Sequence, residues 1–196
     1  NGGYSYDLYY KNEFIIRITL SVPGKHNVYN SLAASAAAYL SGVSMESAAS
    51  ALKTFQGAER RFEYKGEYNG ARVYDDYAHH PSEIDALLTA VEKIEKSRLF
   101  IVFQPHTYTR TLSLMEDFAN VLKKAENLII ADIYAAREKN IYGISSKDLA
   151  DKIPGAMYME SFEKIEEYLK NTLREKDLFI TVGAGNVFEI GEKLVK

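Results

Sequence analysis

The sequence predicts an α/β fold in which helices cover a mainly parallel sheet. From residue 99 onwards, short apolar runs alternate with segments whose apolar residues recur at helical spacing, a pattern typical of parallel strands joined by crossover helices. Hydrophobic side chains make up 46% of the 196 residues, and charged side chains make up 26%. These proportions are those of a globular chain, and they exclude intrinsic disorder.

The first part of the chain has a different pattern and is predicted to form a separate domain. It holds two alternating strands and two helices, at 6–10, 14–19, 26–40 and 45–55. Gly42 ends the first helix, and Ser44 is a suitable N-cap for the second. Gln56-Gly57 then interrupts the pattern. We therefore expect a boundary there, with domains at 1–56 and 57–196.

The second part begins with a predicted hairpin, 62–68 and 71–74, around the Asn69-Gly70 turn. Pro81 suits the first turn of a helix that extends to residue 96. Four further strands are expected at 99–103, 128–132, 156–159 and 178–182. Four further helices are expected at 112–123, 146–152, 162–173 and 187–195.

Charge and composition exclude several classes of protein. The net charge of −3 argues against a chain that binds nucleic acid or an anionic membrane surface. The absence of cysteine excludes disulfides, zinc ribbons and thiol nucleophiles, and it is compatible with the cytoplasm, where we expect the protein. No apolar run approaches the ~20 residues of a membrane helix. The chain opens on Asn1 without a methionine, so we interpret it as a fragment of a longer protein.

Polar side chains follow four of the predicted strands at their carboxyl ends, where open parallel sheets bind ligands. These segments are 75–83, 104–111, 132–139 and 183–186. Three of the four histidines, His79, His80 and His106, lie in them. We expect a functional site at this edge. The alternative for single residues is a local role, because Asp75 and Asp76 could only solvate a strand end and His80 could only cap a helix.

Two ligand motifs are incomplete. A zinc site of Asp76, His79 and His106 is disfavoured because no predicted helix carries two histidines four residues apart, and we expect no metal site in this chain. Gly183-Ala184-Gly185 resembles the start of a dinucleotide fingerprint, but Phe188 stands where the third glycine belongs. The remaining readings of this segment are a tight turn and a helix start that approaches an anion.

Two other segments suggest nucleotide chemistry. Gly24-Lys25 lacks the flanking residues of a phosphate loop, so such a loop would lie outside the chain. Asn27 and Asn30 share a helix face, and asparagine amides can pair with adenine, although capping by Asn27 is the alternative. The Arg60-Arg61 pair could hold a phosphate by paired hydrogen bonds, and simple solvation is the alternative.

Several motifs together resemble the Mur ligases of peptidoglycan synthesis, and in particular the members that add L-alanine to UDP-N-acetylmuramate. They follow one another in the family's order at 23–34, 60–62, 75–83, 103–106, 108–111 and 132–138. The family has three domains. The resemblance implies that 1–56 is the tail of the central ATPase domain and that 57–196 is the C-terminal, Rossmann-like domain.

The resemblance also implies the chemistry and the nucleotide contacts. ATP phosphorylates the muramate carboxylate, and the amino group of L-alanine attacks the acyl phosphate. Asn27 and Asn30 would face the adenine, Arg61 would reach the phosphates, and Asp76 would accept from the ribose hydroxyls. The ligands of Mg²⁺ would lie outside the chain. A fragment without the phosphate loop is therefore expected not to turn over ATP.

For the amino-acid substrate, the resemblance implies a site bordered by Tyr77, His79, His106 and Arg110. His79, His106 and Arg110 would be catalytic, with Tyr77, His79 and Arg110 contacting the substrate. Arg110 would bind the alanine carboxylate, and a neutral histidine would position the amine or take its proton. Thr107 departs from the family, in which an arginine is usual, and this leaves one cation fewer.

Two other functions remain alternatives. A peptidoglycan-recycling ligase that adds a tripeptide to UDP-N-acetylmuramate shares the 75–81 segment. A stand-alone α/β module that binds a nucleotide or anion is the second alternative. Apolar surface on the first domain is expected either to pack on the second domain or to promote a homodimer.

Overall fold

A computed structural model of the chain describes residues 4–22 and 25–196, without the side chain of His26. The Pro23-Gly24 part of the family resemblance and of the rejected phosphate loop lies outside these residues. The chain divides into two compact units, Asn1–Ala58 and Glu59–Lys196. This division falls two residues beyond the boundary expected after Gln56.

The first unit is a hairpin followed by two helices. Its elements are β1 (Ser5–Tyr10), β2 (Glu13–Thr19), α1 (Lys25–Leu40) and α2 (Met45–Thr54). Alternation along the strands buries one face, so Ile18, Leu20 and Val22 form a small core with Leu52 of α2. The Ser44 side chain caps α2 by accepting a backbone N–H. The four predicted elements agree with the structure to within one residue at each end.

The second unit has a six-stranded sheet. Its strands are β3 (Glu63–Tyr68), β4 (Ala71–Asp76), β5 (Leu99–Phe103), β6 (Asn127–Ile130), β7 (Met157–Tyr158) and β8 (Leu178–Val182). The spatial order is β3-β4-β8-β5-β6-β7, and every neighbouring pair is parallel except the hairpin of β3 and β4. The predicted α/β fold with a mainly parallel sheet is confirmed.

Helices cover both faces of this sheet. They are α3 (Pro81–Glu92), α4 (Tyr108–Ser113), α5 (Met115–Leu122), α6 (Ser146–Ala150), α7 (Phe162–Thr172) and α8 (Phe188–Leu194). On β5, Ile101 and Phe103 pack in one core with α3, α5 and α6, while Phe100 and Val102 pack in the other core with α7 and α8. Since successive strand residues point to opposite faces, β5 is buried along its whole length.

Two predicted helices differ from the observed ones by four residues at one end. Helix α3 ends at Glu92 rather than at residue 96, and beyond this end the Lys96 ammonium donates to the carbonyls of Val91 and Ile94. The helix predicted at 112–123 begins four residues earlier and is interrupted at Leu114, whose backbone is non-helical. Within the described residues, no helix has the length and apolar character needed to cross a bilayer.

Candidate functional site

The carboxyl ends of four strands are level with one another and carry the candidate site. In the sheet register Asp76 of β4 and Phe103 of β5 both pair with Val182 of β8, and Phe103 also pairs with Ile130 of β6. The segments that follow these four residues therefore leave the sheet at the same edge. This register places the predicted polar segments side by side.

Two of these segments are joined directly by backbone hydrogen bonds. The Tyr134 N–H donates to the Pro105 carbonyl (2.8 Å), and the Thr107 N–H donates to the Tyr134 carbonyl (2.9 Å). His106 and Tyr134 thus form an isolated parallel bridge, and their rings stack with centroids 5.6 Å apart. The bridge holds His106 at the sheet edge.

The structure brings the predicted substrate residues together. The His79 ring lies 5.4 Å from the Tyr77 ring and 6.1 Å from the His106 ring, measured between centroids. Arg110 Nη1 lies 3.3 Å from His106 Nδ1. Contrary to the loop expected at 104–111, Arg110 belongs to α4, so a helix sets the position of its guanidinium.

The hydrogen-bond partners assign opposite tautomers to the two histidines. Because a carbonyl only accepts, the Tyr77 carbonyl at 3.0 Å places the proton of neutral His79 on Nδ1 and leaves Nε2 as the acceptor. Because a guanidinium only donates, Arg110 makes Nδ1 of His106 the acceptor and places its proton on Nε2. One ring can therefore accept a proton and the other can donate one.

Burial and charge both favour neutral His106. Burial lowers the pKa of His106 below its ordinary value, and the nearby Arg110 cation and His79 lower it further. His79 has a different environment, because Glu83 Oε2 lies 3.5 Å from its Nδ1.

The two aspartates that end β4 are buried rather than solvated, so the alternative that they only solvate a strand end is wrong. Asp75 accepts from Arg60 Nε (2.7 Å) and from the Thr181 hydroxyl (2.6 Å). Asp76 accepts the N–H groups of Phe62 and Ala78, each at 2.8 Å. Burial raises the pKa of Asp76, and these two N–H groups oppose the rise. Its contact with a ribose stays a prediction.

The adjacent arginines have different environments. Besides Asp75, the Arg60 guanidinium donates to the carbonyls of Gly185 (2.9 Å) and Gly183 (2.6 Å), and it lies between the Tyr77 and Phe188 rings. Arg60 is therefore a structural residue that ties β4 to the loop after β8. Arg61 is exposed, and its contact with phosphates stays a prediction.

The glycine segment after β8 is a packed turn. A Cβ on Gly183 would lie 2.8 Å from the Gln104 carbonyl oxygen, and a Cβ on Gly185 would overlap Gln104 Oε1 and lie 2.7 Å from Tyr134 Cγ. The Gln104 amide also accepts from the Val187 N–H and donates to Asn186. Close packing thus explains these glycines, in agreement with the tight-turn alternative.

The remaining candidates receive less support from contacts. His80 caps α3 together with Glu83, as its capping alternative predicted. Asn27 is half-buried and Asn30 is exposed on α1 of the first unit, and their contact with adenine stays a prediction. Among the described side chains of 4–22 and 25–196, which leave out that of His26, no group of three or more histidine, aspartate or glutamate side chains could hold a metal ion.

One residue of the site, Glu138, could not be identified from the sequence. Glu138 accepts the Thr109 N–H at 2.9 Å through Oε2 and the Thr109 hydroxyl through Oε1. The hydrogen bond from the Thr109 side chain has the largest effect in lowering the pKa of Glu138, and the hydrogen bond from the Thr109 N–H lowers it further. The sequence flagged the segment 132–139 as a whole, but no local pattern distinguishes Glu138 from a solvated acid.

Comparison with known proteins identifies the family. A family model described as "Mur ligase, glutamate ligase domain" matches residues 60–185. The UDP-N-acetylmuramate–L-alanine ligase of Caldanaerobacter subterraneus subsp. tengcongensis is 49% identical over 98% of the chain and 43% of its own length. The chain thus spans less than half of this curated relative.

Two solved structures have the same fold. The UDP-N-acetylmuramate-alanine ligase of Thermotoga maritima matches with a TM-score of 0.72 and 25% identity, over 99% of this chain and 42% of that one. A murein peptide ligase of Psychrobacter arcticus matches with a TM-score of 0.67 and 27% identity, over 91% of this chain and 38% of that one. With the family model covering more than half of its residues, the chain belongs to the Mur ligase family.

Proposed function

We propose that the chain is part of an ATP-dependent ligase that joins L-alanine to the carboxylate of UDP-N-acetylmuramate in peptidoglycan synthesis. The observation that carries the proposal is the cluster of His79, His106 and Arg110 at the carboxyl edge of the sheet. It combines a cation that can bind a carboxylate with one imidazole that can accept a proton and a second imidazole that can donate one. The name of the Caldanaerobacter relative supports the choice of substrate.

In the proposed reaction, ATP transfers its γ-phosphoryl group to the muramate carboxylate, and the resulting acyl phosphate reacts with the alanine amine. Arg110 binds the alanine carboxylate as a charge-assisted pair. His79 Nε2 accepts a proton from the alanine ammonium, and Glu83 stabilises the imidazolium. His106 Nε2–H donates a hydrogen bond to the oxyanion of the tetrahedral intermediate. The intermediate then expels phosphate, which takes the second proton of the amine as it leaves, and the amide is formed.

The nucleotide contacts are also part of the proposal. Asn27 and Asn30 bind adenine, Asp76 accepts from the ribose, and exposed Arg61 binds phosphate oxygens. Each Asp76 oxygen accepts one backbone N–H and keeps a second lone pair for a ribose hydroxyl. Among the described residues, no group of three or more acidic or histidine side chains could hold Mg²⁺, and we place its ligands outside the chain. Because the reaction consumes ATP, we place the protein in the cytoplasm.

Phosphate release tests the proposal directly. The full-length protein and this chain are incubated with ATP and UDP-N-acetylmuramate, with either L-alanine or the L-Ala-γ-D-Glu-diaminopimelate tripeptide. We expect release that depends on alanine from the full-length protein and none from the chain alone. Release by the chain alone would place the ATP site within it and would overturn the domain assignment.

A recycling ligase that adds the tripeptide is the second candidate. The structural likeness to the murein peptide ligase of Psychrobacter arcticus favours it, at a TM-score of 0.67. The same assay separates the two, because turnover that needs the tripeptide and ignores alanine would assign the chain to the recycling reaction.

A further inference from the structure

Helix α4, which carries Arg110, lacks a cap from its own sequence. The residue before it, Thr107, has a φ of 66° and makes no side-chain capping hydrogen bond. The first N–H groups of a helix have no partner within the helix, and an N-cap side chain normally supplies one. The start of α4 therefore depends on groups from elsewhere in the chain.

Glu138 supplies that cap from the neighbouring loop. Its two carboxylate oxygens accept the N–H and the hydroxyl of one residue, Thr109, in the first turn of α4. Glu138 is itself fixed, because its N–H donates to the Ala135 carbonyl (2.9 Å). A carboxylate at this end of a helix also interacts favourably with the helix dipole.

The loop after β5 and the loop after β6 are thus joined at two places. One of these lies at His106, and the other lies next to Arg110. One junction is the backbone bridge of His106 and Tyr134, and the other is the contact of Glu138 with Thr109. His106 precedes α4 and Arg110 lies within it, so their relative position depends on where α4 begins. Their hydrogen bond is long, at 3.3 Å, and a small shift of α4 would break it.

We propose that Glu138 is a positioning residue, which caps α4 across the two loops and so holds Arg110 against Nδ1 of His106. In this role Glu138 fixes the tautomer of His106, with the proton on Nε2. The consequence for catalysis rests on the function proposed above, whereas the effect on the imidazole does not.

Nuclear magnetic resonance of the imidazole nitrogens of the chain tests the positioning. The His106 signals are assigned by their loss in His106→Gln. We expect a dominant Nε2–H tautomer in the unsubstituted chain. In Glu138→Ala we expect a mixture of tautomers, in which the chemical shifts of the two ring nitrogens come closer to each other. Glu138→Gln keeps an acceptor oxygen for the Thr109 N–H, and we expect it to restore the original tautomer.

Glu116→Ala is the matched control, because Glu116 is an exposed acid on α5 that pairs with Lys152. We expect it to leave the His106 signals unchanged. If Glu138→Ala does not fold, Glu138→Met replaces it, since it keeps the length of the side chain and removes both acceptor oxygens. Unchanged His106 signals in the folded variant would overturn the proposal.

An activity measurement links the positioning to the reaction. In the full-length ligase, Glu138→Ala is expected to raise the KM for L-alanine on the order of tenfold, because misplacing an orienting group costs about this much or more. Glu116→Ala is expected to keep the original KM. If no alanine-dependent turnover exists in the unsubstituted protein, the proposed function fails while the resonance result still decides the role of Glu138. A normal KM in Glu138→Ala would contradict positioning of the alanine site.

Discussion

At the residue scale, adjacent arginines with the same charge have separate roles. Arg60 is enclosed by a carboxylate, two carbonyls and two aromatic rings, whereas Arg61 is exposed. The distinction follows from the fold, because the Asp75 carboxylate that pairs with Arg60 is fully buried, with 0% of its surface exposed. A buried charge that loses its partner is costly.

The first prediction concerns stability and compares these two arginines. Arg60→Ala would leave Asp75 buried without its cation, so we expect a loss of about 3 kcal/mol in the free energy of unfolding. Arg61→Ala, the control at the neighbouring position, is expected to cost less than ~1 kcal/mol. Urea denaturation of both variants measures the difference. Equal losses would show that the Arg60–Asp75 pair is not a main contact of the second unit.

The second prediction concerns the titration of His106. Its pKa lies below the ordinary value of 6.5, because burial and then the Arg110 cation disfavour the charged ring. Arg110→Ala removes the cation, so we expect the pKa to rise towards 6.5 while burial still holds it lower. A resonance titration of the His106 ring measures both values. A pKa that stays the same or falls in the variant would contradict the assigned contact.

The same lowered pKa has a consequence for stability. Between the folded-state pKa and 6.5, the unfolded chain binds more protons at His106 than the folded chain does. The free energy of unfolding therefore rises with pH through this window, and the contribution of His106 is lost as the solution is acidified. Arg110→Ala brings the folded-state pKa of His106 closer to 6.5, so the free energy of unfolding should depend less on pH in this variant.

At the element scale, the edge of the sheet is organised by the glycine turn that follows β8. Gly183 and Gly185 allow the loop after β8 to approach Gln104 and Tyr134 closely, and Arg60 ties the same loop to β4. Tyr134 in turn stacks on His106. A change in this turn is therefore transmitted to the candidate site through one aromatic ring.

The third prediction tests this packing. In Gly185→Ala the added Cβ would overlap Gln104 and the Tyr134 ring, so we expect a loss of about 1–3 kcal/mol and a shift of the His106 ring signals. Gly143→Ala is the control, because its Cβ would meet open space and only its φ of +67° is unfavourable, a cost of about 1–2 kcal/mol. Thermal unfolding and the His106 signals are measured together. Wild-type His106 signals in Gly185→Ala would show that the turn does not position Tyr134.

Strands and most helices could be predicted from the sequence because their signals are local. Alternating or continuous apolar runs predicted every strand of the sheet, and β5 and β8 agree at both ends. The start of α4 could not be predicted, since its cap comes from Glu138, far along the chain. The roles of Arg60 and Gln104 are likewise set by partners in other loops. Local patterns thus give the elements and the edge where polar groups gather, while contacts between loops decide what each polar group does.

At the scale of the whole molecule, the first unit exposes an apolar surface. Leu40 is 84% exposed, and Tyr39, Tyr10 and Leu32 are also exposed. Tyr10 and Tyr39 contact one another, with ring centroids 5.7 Å apart, and all four residues line a shallow groove of the first unit. Contiguous apolar surface of this kind favours association.

The fourth prediction is that this surface makes the isolated chain self-associate. Sedimentation equilibrium should show a mass that rises towards that of a dimer with concentration. Leu40→Glu should shift the chain to a monomer, whereas Ile141→Glu, at a residue 76% exposed in the second unit, should not. A monomer at every concentration for the unsubstituted chain would refute the homodimer.

The central position of β8 constrains the order in which the second unit can be synthesised and folded. β8 is late in the sequence, yet it separates β4 from β5, and Arg72 pairs with Leu178. Until β8 has left the ribosome, the β3-β4 hairpin and the strands β5, β6 and β7 cannot join in one sheet. Such long-range pairing slows folding and exposes the nascent chain to aggregation. The edge that holds His79, His106 and Arg110 is therefore completed only after β8 has been translated.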